Sequence, residues 1–97
     1  MNSNLQFINI DVSALAPPEP MTVILTHLAT LTQSQCLVIK HRRQPFPLYV
    51  KLKEAGFSYH CIEHGLDHIS LYIFHHCDQQ AFEQNLVNLV SSEGLNK

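Results

Sequence analysis

The sequence predicts an α/β chain, an α+β two-layer sandwich with element order β-α-β-α-β-β, a mixed four-stranded sheet and an extra C-terminal helix. Three observations carry this. Apolar residues alternate in "FINIDV" and around "GLD". They recur at helical spacing in "MTVILTHLATL". Helical and extended runs then follow one another in the order that builds a layered sheet.

Each element has a local reason. In Phe7 to Val12, Ile8 and Ile10 share one face, while Phe7, Asn9 and Asp11 share the other. This is strand one. Met21, Ile24, Leu25, Leu28 and Leu31 form one stripe, so helix one is expected over Glu19 to Leu31. The "PPEP" before it suits a helix start, because proline has no N–H to leave unpaired in the first turn. Glu19 there favours the positive end of the helix dipole. "TQSQ" is a polar turn, and "CLVIKH" is a short β-branched run, strand two. From Pro47, Leu48, Leu52 and Ala55 share a face and Gly56 sits where a helix stops. "FSYHCIEH" and "HISLYIFHH" flank a three-residue loop and read as a hairpin. Strands joined through a helix run parallel with a right-handed crossover. Pairing Ile62 with Ser70 would put His64 opposite His68 and His60 opposite Tyr72, away from the helices. Glu63 then faces the core side and fits only at a rim.

The run "AFEQNLVNLV" places Phe82, Leu86, Leu89 and Val90 on one stripe, a third helix. Residues 1–78 make the domain. Residues 79–97 form a helix and tail packed on that domain or on a partner subunit. Phe7, Val38, Tyr72 and Phe74 share the face opposite the first two helices. Left uncovered, that face calls for a homodimer.

Bulk properties narrow the function. The chain has 97 residues, enough for one modest core. It is 45% hydrophobic and 14% charged, a globular composition. Six basic residues against eight acidic ones leave a net charge of −2, which excludes the footprint of a general nucleic-acid binder. Apolar stretches fall short of the roughly 18–20 residues of a membrane span. "MNSNLQF" has no signal-peptide pattern. Three cysteines without a CxxC pair read as reduced thiols, so a cytoplasmic setting is expected. No cofactor motif is present.

In an open α/β sheet, sites lie beyond the carboxyl ends of parallel strands. Strand one ends at "PPEP" and strand two at His41-Arg42-Arg43. The expected site is therefore a mixed-charge cluster of Glu19, His41, Arg42 and Arg43, bordered by Pro45 to Leu48. It suits a small anion or an acidic segment of a partner protein. It holds no nucleophile and no paired carboxylates, so the sequence points away from catalysis. A second reading uses the histidines, of which there are seven. His64, His68, His75, His76 and Cys77 would make a metal- or redox-responsive hairpin.

"IDVSALAPPEPM" resembles the opening of the TusA-like (SirA-like) sulfur carriers, which start with a strand, an aspartate and a Cys-Pro-x-Pro motif. Asp11, Leu15, Pro18, Glu19 and Pro20 fit that pattern. The family glycine falls at Ala14 and the sulfur-carrying cysteine at Pro17. "HRRQPFPLYVKLKEAGFSY" is closer still to a TusA-related group, domain of unknown function 2249. Its "PPEPM" start and His-x-x-x-Pro-x-Pro-Leu segment match Pro17 to Met21 and His41, Pro45, Pro47 and Leu48. The resemblance spans about Ile8 to Phe74. It implies the β-α-β-α-β-β fold and no persulfide chemistry, since proline offers no thiolate. It implies no assigned activity.

Overall fold

The computed structural model describes residues 5–16 and 18–94, with 87–94 as backbone only. Pro17 lies outside the described residues. The elements are β1 (Gln6–Asp11), α1 (Glu19–Leu28), β2 (Gln35–His41), α2 (Phe46–Glu54), β3 (Phe57–Gly65), β4 (His68–His75), a 3₁₀ turn (His76–Asp78) and α3 (Gln79–Gly94). One four-stranded sheet has the order β1-β2-β4-β3. β1 and β2 are parallel, whereas β4 is antiparallel to both of its neighbours. The mixed sheet and the layered α+β class are as the sequence predicts.

Register sorts the side chains into rows. Ile8–Leu37–Ile73–Tyr59 and Ile10–Ile39–Leu71–Cys61 cross the sheet on one face. That face packs against Ile24 and Leu28 of α1 and Leu48, Tyr49 and Leu52 of α2. Phe7–Cys36–Phe74 and Val38–Tyr72–His60 cross on the other. There Phe82 of α3 is buried, and its ring stacks on Phe74 at 4.3 Å between centroids. Leu86 packs on the same cluster. The face is thus covered at this point from within the chain.

Two helix boundaries differ from expectation. α1 stops at Leu28 rather than Leu31. Thr30 and Leu31 donate their N–H groups to the carbonyls of His27 and Leu28, a tight turn that ends the helix. Leu31 nevertheless remains buried and caps the core. α2 starts one residue early, at Phe46, with Pro47 in its first turn. Gly56 takes a φ of +84°, the left-handed conformation after a helix.

The hairpin register holds at Ile62–Ser70 and His60–Tyr72. It does not hold at His64. Gly65, not His64, pairs with His68, and the ladder shifts between Glu63 and Gly65. Asp67 adopts φ 58°, which aspartate tolerates, so Leu66–Asp67 closes the turn in two residues and His64 is the extra one. Glu63 lies exposed at the rim, where its Oε2 accepts a 3.0 Å bond from Gln44 Nε2. Among the described residues, no helix is long and apolar enough to cross a membrane.

Candidate functional site

The end of β1 is turned out of the sheet by its own aspartate. Asp11 Oδ1 accepts from the Ser13 N–H at 2.9 Å and from Ser13 Oγ at 2.6 Å. These bonds favour the charged form and hold the Asp11 carboxyl below its usual range. Val12 still donates to the Lys40 carbonyl and is buried, so the loop leaves the sheet at a fixed point. Pro20 is buried in the first turn of α1.

The end of β2 is shaped by His41. Its Nδ1 accepts a 3.2 Å bond from the Arg43 N–H. The neutral ring therefore carries its proton on Nε2. Burial, then the neighbouring Arg42 charge, pushes the His41 pKa below 6.5, which favours that neutral form. Gln44 accepts from the Phe46 N–H through its carbonyl and from Tyr49 Oη through its Oε1. The loop is thus tied to α2 while Arg42 and Arg43 stay exposed. Among the described residues, neither arginine side chain is engaged in an ion pair or hydrogen bond.

These loops meet in a cleft of about 280 Å³. Val12, Leu15 and Pro20 line it from the β1–α1 side, and His41, Arg42 and Arg43 from the β2 side. Asp67 of the hairpin turn completes it. A shallower groove of about 590 Å³ lies on the far side of Arg42 and Arg43, toward Glu63 and Leu66.

Three of the four expected residues, His41, Arg42 and Arg43, are therefore brought together. Glu19 is exposed at the start of α1 but does not line the cleft. The acidic member is instead Asp67, which sequence reasoning missed. β4 pairs with β2, with Ile69 opposite His41, so the hairpin tip arrives at the carboxyl end of β2. Only the strand order could have signalled this. Of the motif prolines, Pro18 precedes α1, Pro20 lines the cleft, Pro45 precedes α2 and Pro47 sits in its first turn.

The metal set is not brought together. His64 and His68 sit at the hairpin tip, with rings 4.9 Å apart, and His64 Nε2 lies 2.8 Å from Ser70 Oγ. His75 closes the other end of β4 and His76 and Cys77 follow it, roughly 20 Å away at ~3.3 Å per residue. His75 Nε2–H donates to the Leu31 carbonyl at 2.8 Å, and His76 Nδ1 pairs with Ser58 Oγ at 3.0 Å. The five residues cannot share one ion. Among the described residues, no group of three or more His, Cys, Asp or Glu converges on a metal position.

No thiol lines the cleft. Cys36 is fully buried, which pushes its pKa up to about 12. Burial also raises Cys61, which is half-buried on β3. Cys77 is exposed, but in the 3₁₀ turn after β4.

Comparison with curated proteins and with solved structures returns no match. A family model described as "Uncharacterized conserved protein (DUF2249)" matches residues 9–75. That span runs from within β1 to the last residue of β4 and takes in every residue lining the cleft. The chain accordingly belongs to the uncharacterized conserved DUF2249 family.

Proposed function

We propose that this protein is a non-catalytic, TusA-like binding module that recognises an anionic group at the loop end of its sheet. The anion is a small ligand or an acidic segment of a partner protein. The observation that carries the reading is the pair Arg42 and Arg43, exposed and without a side-chain partner among the described residues, lining one cleft with His41. Exposed guanidinium groups suit a carboxylate or phosphate.

Sulfur transfer of the TusA kind finds no support, since all three cysteines lie away from the start of α1. The metal- or redox-responsive alternative is supported by no specific contact. Three unpaired thiols fit a cytoplasmic setting.

The test is a titration of isotopically labelled protein with small anions, read by amide and side-chain NMR shifts. Shifts should cluster on residues 12–15, 41–43 and 67. Replacing Arg42 and Arg43 together by Ala should abolish them. It should leave stability within about 0.5 kcal/mol, because both side chains are exposed. Anion shifts of equal size in the double variant would refute the reading.

A further inference from the structure

The two walls of the cleft differ in chemistry, and the difference narrows the ligand. This step rests on the anion-site reading above. One wall is apolar, from Val12, Leu15 and Pro20. The other carries the two arginines and His41. A naked inorganic anion would use the second wall and leave the first bare. The volume, about 280 Å³, is at the low end for organic ligands, so the occupant is small. Asp67 adds a negative charge at the same cleft. It lets one anionic group reach the arginines but repels a second.

We infer that the cleft takes a short-chain aliphatic monocarboxylate, its carboxylate on Arg42 and Arg43 and its hydrocarbon body against Leu15 and Pro20. The planar carboxylate matches a guanidinium fork. The body gains by leaving water against the apolar wall. Asp67 is a specificity residue that discriminates against dianions.

The experiment uses the full chain and the same NMR titration, with acetate, propionate, butyrate, succinate and inorganic phosphate as probes. Affinity should rise from acetate to butyrate by up to about fourfold per added methylene. Succinate, with a second carboxylate on a chain as long as butyrate, should bind more weakly than butyrate. Asp67→Asn should narrow that gap, and the Arg42→Ala/Arg43→Ala double variant should lose the whole series. An aliphatic series with no gain per methylene, or phosphate or succinate binding more tightly than butyrate, overturns the monocarboxylate. If those anions still shift residues 41–43 and still need the arginines, the anion site itself stands. No anion-dependent shift at the cleft overturns both.

Discussion

Replacing Phe82 with Ala tests how the third helix is held. Phe82 is 2% exposed, and its ring meets Phe74 at 4.3 Å, Tyr72 at 5.5 Å and His60 at 5.8 Å. Burying a phenylalanine side chain stabilises by ~1.5–3 kcal/mol. A well-placed ring pair such as that with Phe74 adds ~0.5–1.5 kcal/mol. The loss should therefore be about 3 kcal/mol, within the range for large-to-small aromatic changes in cores. Local undocking sets a ceiling. If α3 lifts off before the sheet melts, the loss cannot exceed the free energy of docking it. Urea denaturation should show a midpoint lower by more than ~1 M. Thiol labelling followed by peptide mass spectrometry gives an independent reading. Cys36 lies in the same cluster and is protected in the wild type by burial, with its pKa near 12. It should become labelled in the variant. A stability loss below ~1 kcal/mol with Cys36 still protected would refute the claim that Phe82 anchors α3.

Three further outcomes follow from the local structure. Gly56→Ala should cost about 1–2 kcal/mol in thermal or urea unfolding, because φ +84° strains any Cβ while nothing within 4 Å would clash with it. Tyr49→Phe should cost about 1 kcal/mol by losing the 3.1 Å bond to Gln44, while leaving the 4.0 Å stack on Tyr59. His41 has a folded pKa below its ordinary 6.5, so between those two values the unfolded chain binds more protons. Its contribution is flat above pH 6.5 and is lost as pH falls through the window below. Unfolding free energy measured across pH 5–7.5 should show that slope, and His41→Asn should reduce it.

The sequence made the elements legible because their periods are clean. Ile8 and Ile10 alternate against Phe7 and Asn9, and the structure puts them on opposite faces. The pairing of Ile62 with Ser70 was also legible, because a single-residue slip would send Leu71 and Ile73 out of the core. His64 was not. Its displacement depends on Asp67 adopting a left-handed conformation, which periodicity does not encode. The end of α1 was misplaced because Leu31 continues the apolar stripe after the helix has stopped. At the candidate site, His41, Arg42 and Arg43 were readable from the end of β2. Asp67 reaches them only because β4 inserts beside β2, a tertiary choice that no local pattern records.

The central position of β4 has a kinetic consequence. It is the last strand among the described residues, yet in the sheet it lies between β2 and β3 and pairs with both. During synthesis, β1, β2 and both first helices emerge before the strand that joins them to the hairpin. β3 waits for the same segment. The sheet cannot close until His75 has left the ribosome, so a nascent chain stopped before β4 holds only fragments of the core. Most of its strand pairing is distant in sequence, which places folding with the slower mixed α/β domains rather than with helical bundles. From the emergence of β2 to that of β4, the nascent chain presents the open edge of β2 as a template for unwanted pairing, and the arrival of β4 removes it.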